Sequence, residues 1–290
     1  TLLKDCNAIE CENETKPDAT LVKEGSANND IKVSLNSCSA IADFCIRNNI
    51  AFRGHTMVWH SQTPSWFFKE NFDANGSWVS SSVMDKRMES YIKNMFDAIK
   101  TQYPKLDLYA YDICNECVSD SETRTKNNGG AREPGDNNIK GQEGRSAWVQ
   151  VYGDNSFVEK AFAYAKMYAP DSCKLYYNDF NEYMQGKREA IIKMATDLKE
   201  KGLIDGIGLQ SHLNVTNNSP DPFPTANVYA SALKKYCETG LDIQITELDA
   251  TYNDTYENGE ELQAQYYSDI MDAIVECKDS ISAVVFWGTT

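Results

Sequence analysis

The sequence predicts an α/β protein built as a (β/α)8 barrel, on three observations. Short apolar runs alternate with longer amphipathic ones, the pattern of parallel strands joined by helical crossovers. Polar residues gather just after the apolar runs, at many places along the chain. No Gly-rich phosphate loop follows any run, as an open doubly wound sheet would favour. A ring of polar side chains drawn from many strand ends is what the top of a barrel provides.

The strand-like runs are Ile50–Trp59, Leu106–Cys114, Cys173–Asn178, Gly206–Leu213, Leu241–Thr246 and Ile281–Trp287, with a weaker one at Asn7–Ile9. Each is nearly continuous in β-branched or aromatic residues, as a strand covered on both faces should be. Between them, Val83–Tyr103 places Met84, Met88, Tyr91, Ile92, Met95, Phe96 and Ile99 at helical spacings of three and four. Ser156–Tyr168, Gly186–Lys201, Asn227–Cys237 and Glu260–Cys277 repeat that pattern, and Pro170 and Gly202 stop two of them. One segment breaks the rhythm: 119–145 is dense in Gly, Asn, Asp and charge, and reads as a long loop walling a cleft. No linker or repeat divides residues 1–290, so one domain is expected.

Composition narrows the function. Hydrophobic residues make up 41% of 290, enough for a sizeable core. The formal net charge of −15 argues against nucleic acid as a partner, because a phosphate backbone asks for basic patches. Nowhere do 18 apolar residues run together, so no membrane-spanning helix is expected. The nine cysteines show no disulfide framework, and Cys114 and Cys117 read as thiols packed at a strand end in a reducing or anaerobic setting. Five N-x-S/T sequons occur, at Asn13, Asn75, Asn214, Asn217 and Asn253.

Two glutamates follow apolar runs at once: Glu116 in Tyr-Asp-Ile-Cys-Asn-Glu and Glu247 in Ile-Gln-Ile-Thr-Glu-Leu-Asp. Both would point into the barrel mouth. Glycoside hydrolysis needs such a pair, one carboxyl protonated to donate and one ionised to attack. Either glutamate could instead pair with a basic residue as plain structure. His55, His60 and His212 are the only histidines, so a zinc site is weighed too, yet no His-x-His is present. Trp59, Trp66 and Trp287 flank the same positions, as core or as platforms for sugar faces.

Seven motifs carry a resemblance. Cys-Glu-Asn-Glu-Thr-Lys-Pro-Asp (11–18), Gly-His-Thr-Met-Val-Trp-His-Ser-Gln-Thr-Pro-Ser-Trp (54–66), Tyr-Asp-Ile-Cys-Asn-Glu (111–116), Leu-Tyr-Tyr-Asn-Asp-Phe-Asn (175–181), Gly-Ile-Gly-Leu-Gln-Ser-His-Leu (206–213), Ile-Thr-Glu-Leu-Asp (245–249) and Phe-Trp-Gly (286–288) occur in this order. Together they resemble the family 10 glycoside hydrolases. The resemblance implies a retaining endo-β-1,4-xylanase acting on xylan and xylo-oligosaccharides, without metal or cofactor and secreted. The sequon at Asn13, where a glycan would block a sugar ligand, favours a bacterial source, the cysteines an anaerobic one, and a monomer is expected unless a partner completes the barrel. The resemblance also implies Glu116 as acid/base and Glu247 as nucleophile, with the two carboxyl groups about 5–5.5 Å apart. Asn115 would hold the sugar 2-hydroxyl, and Glu12, Asn13 and Lys16 would bind sugars in the −2 and −1 subsites. His60, Gln210 and His212 would line the −1 subsite, with His212 bonded to the nucleophile. Trp66 and Trp287 would border it, while Tyr177 and Asn178 would lie towards the aglycone side. Tyr111 and Phe180 stand where the family usually has tryptophan and tyrosine. The family's first strand and helix would precede Thr1 and its last helix would follow Thr290, so seven strands are expected to leave the barrel open.

Overall fold

The computed structural model describes residues 2–215, 224–252 and 257–288. Its strands, in chain order, are β1 (Ala8–Glu10), β2 (Leu21–Ala27), β3 (Asp30–Val33), β4 (Ala51–Gly54), β5 (Val58–Trp59), β6 (Leu108–Asn115), β7 (Lys174–Asp179), β8 (Gly206–Leu209), β9 (His212–Asn214), β10 (Asp242–Thr251) and β11 (Ile281–Phe286). The main sheet runs β1-β4-β6-β7-β8-β10-β11. Every neighbouring pair on that path is parallel. This is the strand order of a (β/α)8 barrel, with seven strands in sequence and, among the described residues, no pairing between β1 and β11. Their outer edges are the least covered: β11 is half-buried to exposed throughout, whereas every residue of β8 is buried.

The helices between strands follow from their sequences. Ser80 caps the helix Ser81–Gln102 by accepting a hydrogen bond from the Val83 N–H, and Met84, Met88, Tyr91, Ile92, Met95, Phe96 and Ile99 form its buried face. Helices Ser156–Tyr168, Gln185–Glu200, Ala226–Cys237 and Gly259–Glu276 match the expected runs to within a residue or so at each end. Gly202 adopts a φ of +69°, which lets the chain reverse after Gln185–Glu200.

Three features depart from the sequence reading. The run Ile50–Trp59 is two strands, β4 and β5, and Gly206–Leu213 is likewise split between β8 and β9. The second break falls at Gln210–Ser211, where Ser211 takes a φ of +59°. Apolar content carried those runs across points where the backbone turns polar side chains inward. The antiparallel hairpin β2–β3 and the helix Ser39–Asn48 had no counterpart in the reading. β2 is mostly exposed and carries Lys, Glu, Gly and Ser, so no buried period marks it. The sequons at Asn217 and Asn253 lie outside the described residues.

The barrel interior holds an ionic cluster rather than a purely apolar plug. Arg53 of β4, fully buried, donates through Nη1 and Nη2 to the two oxygens of Asp112 on β6. It also donates to Glu10 Oε1 of β1 at 3.0 Å and to Gln244 Oε1 of β10 at 3.0 Å, so one guanidinium ties four strands. His55 Nδ1 lies 2.8 Å from Asp112 Oδ2. Burial works against the charged carboxylate of Asp112, but Arg53 and His55 outweigh it and hold it below the usual range. Removing one member of such a cluster strands a buried charge. Asp112→Ala should therefore cost about 3–5 kcal/mol in urea unfolding; a loss under about 1 kcal/mol would show that Arg53 finds solvent or another partner.

Candidate active site

The carboxyl ends of the strands converge on a cavity of about 360 Å3. β6 delivers Asn115 and, one residue on, Glu116; β8 leads to Gln210; β9 begins with His212; β10 carries Glu247; β5 ends in Trp59. Lys16, His55, Phe180 and Trp287 complete the lining. Glu116 itself takes a φ of +53°, a conformation uncommon for a non-glycine residue, and its N–H is fixed by the Asn178 carbonyl at 2.9 Å.

The two glutamates share the cavity but not the same surroundings. Glu116 Oε2 accepts from the Trp59 indole N–H at 2.8 Å, and Oε1 accepts from the Gln210 amide at 3.0 Å. Glu247, 4% exposed, accepts from Asn178 Nδ2 at 2.9 Å and lies 3.0 Å from His212 Nε2. An amide relay joins the carboxyls: Gln210 and Asn178 each donate to Asn115 Oδ1 at 3.1 Å while also donating to Glu116 and Glu247 respectively. Asn115 is thus the common acceptor that sets the two carboxylates relative to each other.

His212 stands between two acids, with Nδ1 2.7 Å from Asp249 Oδ2. Burial disfavours its charged form, but the hydrogen bonds and charges of Asp249 and Glu247 prevail and raise its pKa to about 10. It is then an imidazolium at neutral pH, donating from both nitrogens. Because the folded value lies above the ordinary 6.5, its stabilisation is complete below that value and fades as pH rises through about 10. The stability gap between wild type and His212→Asn should accordingly shrink from pH 7 to pH 10 in urea titrations. A gap constant over that window would show that the imidazolium pairing contributes nothing.

The remaining expected residues divide. Lys16 lines the cavity; burial lowers its pKa, while Glu247 and Glu116 pull it back up. Its Nζ donates to Asn13 Oδ1 at 3.1 Å, and Gln62 Nε2 donates to the same oxygen at 3.2 Å. Asn13 and Glu12 are exposed on the loop after β1. Trp287 lies edge-on to both His55 and His212, with ring centres 6.2 and 6.3 Å apart. Trp66 is half-buried against Phe67 and Phe72 and stands outside the cavity lining.

Three placements correct the sequence reading. Tyr177 is fully buried away from the cavity, its hydroxyl donating to Asp179 and accepting from the Cys117 and Val118 N–H groups. Successive strand side chains face opposite ways, so Tyr177 and Asn178 could not both enter the mouth. Asn178 points inward but is itself fully buried, holding Glu247 rather than reaching towards an aglycone. His55, not His60, lines the cavity. His60 sits beside Glu116 with Nδ1 3.9 Å from Oε2, and burial together with the Arg132 and Lys187 charges keeps it neutral.

Arg132, in the 119–145 loop, was not foreseen. Its Nε donates to the Glu116 carbonyl at 2.5 Å and its Nη2 comes within 4.0 Å of Glu116 Oε2. Asn138 of the same loop donates to the Thr63 carbonyl at 2.9 Å, which ties the loop to the one after β5. The segment 119–145, read as one loop, in fact begins with the short helix Glu122–Asn127, and an arginine beyond it, 16 residues from Glu116, leaves no sequence signal. The histidines do not assemble a metal site: among the described residues, the one candidate group is Glu10, His55 and Glu247, within 4.8 Å of one another. Glu10 is already paired to Arg53 and His55 Nδ1 to Asp112, and a buried guanidinium beside the donors repels a cation.

Comparison with known proteins agrees with this geometry. The model of glycosyl hydrolase family 10 matches residues 1–290. Endo-1,4-beta-xylanase Y of Acetivibrio thermocellus is 55% identical over 99% of the chain, and the bifunctional endo-1,4-beta-xylanase XylA of Ruminococcus flavefaciens is 47% identical over 99%. The chain spans only 26% and 28% of these two relatives, about a quarter of their length. Among solved structures, the CBM22-1 and GH10 modules of the Clostridium thermocellum N-terminal endo-1,4-beta-D-xylanase 10B, complexed with xylohexaose, align with a TM-score of 0.91 at 54% identity. That match covers 99% of this chain and 55% of the other. An intracellular xylanase from Thermoanaerobacterium saccharolyticum aligns at a TM-score of 0.81 and 31% identity, covering 99% and 79%.

Proposed function

We infer, from the premise that this chain belongs to glycosyl hydrolase family 10, that it hydrolyses internal β-1,4-xylosidic bonds of xylan with retention of configuration. The observation that carries the reading is the pair Glu116 and Glu247, facing one cavity from separate strands with different hydrogen-bond partners. The similarity to xylanases at 55% and 47% identity supports xylan as substrate.

In the first step Glu247 attacks the anomeric carbon, and Glu116 gives its proton to the departing glycosidic oxygen. The C–O bond to the leaving sugar breaks as the bond to Glu247 forms. In the second step Glu116, now ionised, takes a proton from water, and the water oxygen displaces Glu247. The His212 imidazolium and Asn178 hold the Glu247 carboxylate in both steps, and Asn115, which lines the cavity and whose Nδ2 has no partner among the described residues, is the proposed donor to the sugar 2-hydroxyl. Lys16, which bonds Asn13, is proposed with Asn13 and Glu12 to bind sugars in the −2 and −1 subsites, and Trp287 to border them.

Xylan is too large to enter a cell, so action outside the cell is the proposal. One similar structure is described as intracellular, and fractionation of the source cells decides between the two. The chain is proposed to act as one monomeric catalytic domain over 1–290. The test is reducing-sugar release from xylan beside carboxymethyl cellulose. Rapid release from xylan alone is expected; a folded chain that releases sugar only from the cellulose derivative, or from neither, sinks the assignment.

A further inference from the structure

We propose that buried Glu182 is a positioning residue that holds both catalytic glutamates through Ser211. The inference rests on the reading of Glu116 and Glu247 as the catalytic pair. Between β8 and β9 the chain turns at Gln210–Ser211, and the residues on either side of Ser211 serve the two carboxylates. Gln210 donates to Glu116 at 3.0 Å, and His212 contacts Glu247 at 3.0 Å. The residue between them, Ser211, has a φ of +59°. A non-glycine residue holds that conformation only when its surroundings fix it.

The fixing group is visible. Ser211 Oγ donates to Glu182 Oε1 at 2.8 Å, and its oxygen is 2.8 Å from the Tyr229 hydroxyl. Glu182 is 1% exposed, its carbonyl accepts from the Tyr236 hydroxyl at 3.1 Å, and its Oε2 has no hydrogen-bond partner among the described residues. A buried carboxyl with a bare oxygen is costly where a neutral group would serve packing alone. Burial raises its pKa to about 7, with Ser211, Lys187 and His212 acting in the other direction. Backbone contacts share the load: Gln210 N–H donates to the Asp179 carbonyl at 2.9 Å, and Glu247 N–H to the Gln210 carbonyl at 3.1 Å. Those bonds do not hold the φ of Ser211 itself, so its release would turn Gln210 and His212 relative to each other and move both carboxylates out of register.

The test compares Ser211→Ala, Glu182→Ala, Glu182→Gln and the double alanine variant. Each is measured by kcat and KM on xylohexaose and by NMR titration of the His212 imidazole. Ser211→Ala and Glu182→Ala should each lower kcat by about ten- to a hundredfold, the scale of a misplaced reacting group, with KM within about twofold. The His212 titration should move down from about 10 in both. The double variant should be no worse than the poorer single one, because the two act as one unit. Glu182→Gln, which keeps the oxygen acceptor, should recover most of what Glu182→Ala loses. A folded Ser211→Ala with wild-type kcat and an unmoved His212 titration overturns the proposal, as do additive losses in the double variant. If Glu182→Ala does not fold, Ser211→Ala and Glu182→Gln decide alone. An inactive wild type would refute the xylanase reading, and the His212 titration would still decide the positioning role.

Discussion

Glu247→Gln is expected to lower xylan hydrolysis by at least about 10^4-fold, the scale on which an enzyme loses a nucleophile. The amide has nearly the volume of the carboxylate, so the cavity keeps its shape, but its nitrogen cannot attack carbon and its oxygen carries no charge. The neighbours sharpen the loss. Asn178 Nδ2 and the His212 imidazolium both donate to Glu247, so one amide NH2 must face a donor. The smaller Glu247→Ala leaves room for an external anion. Azide should then restore turnover of an activated aryl xylobioside and yield the α-configured xylobiosyl azide, since a single displacement inverts. Proton NMR of the wild-type reaction should show the β-anomer first. Activity of Glu247→Gln within about tenfold of wild type, or an initial α-product from the wild type, would remove Glu247 from the nucleophile's place.

What the sequence could show depends on which forces leave a periodic trace. The strand-helix alternation was legible because the inner barrel strands, β6, β7, β8 and β10, are buried on both faces and each outer helix on one. Ser81–Gln102 shows this in its methionine and isoleucine spacing. Glu116 and Glu247 were legible because each follows an apolar run at once, although β10 continues beyond Glu247 to Thr251. Lys16, Gln210 and His212 came from the family resemblance, and the structure brings all three to the cavity. The errors share one cause. In Gly-His-Thr-Met-Val-Trp-His either histidine could face inward until the break between β4 and β5 is known. Tyr177 against Asn178 was a parity question that strand alternation could have answered. Arg132 and Glu182 depend on contacts 16 and 29 residues distant, to Glu116 and Ser211, and no local pattern reports those. The ionic cluster around Arg53 was hidden for the same reason: its three partners, Glu10, Asp112 and Gln244, come from three other segments.

Glu116→Ala separates the two steps, and its effect should depend on the leaving group. On xylan the departing sugar oxygen is a poor leaving group and needs the proton, so kcat should fall about 10^2- to 10^4-fold, the range for a lost general acid. An aryl xylobioside with a dinitrophenolate leaving group needs no proton to depart. Its first step should survive, giving a burst of phenolate equal to the enzyme present, after which hydrolysis of the Glu247 ester limits turnover. Azide, which needs no general base, should attack that ester, accelerate the steady state and give the β-azide, the opposite anomer to that from Glu247→Ala. The hydrogen bonds to Glu116 bear on this outcome. Trp59 and Gln210 each occupy one lone pair of its two oxygens, leaving a lone pair on each for the proton. They fix the carboxyl plane in both protonation states without needing its charge. Trp59→Phe should for that reason reproduce part of the xylan defect and none of the burst. If instead Glu116→Ala loses the burst and the xylan activity in equal measure, Glu116 acts before bond cleavage, by holding substrate, and the acid/base assignment fails.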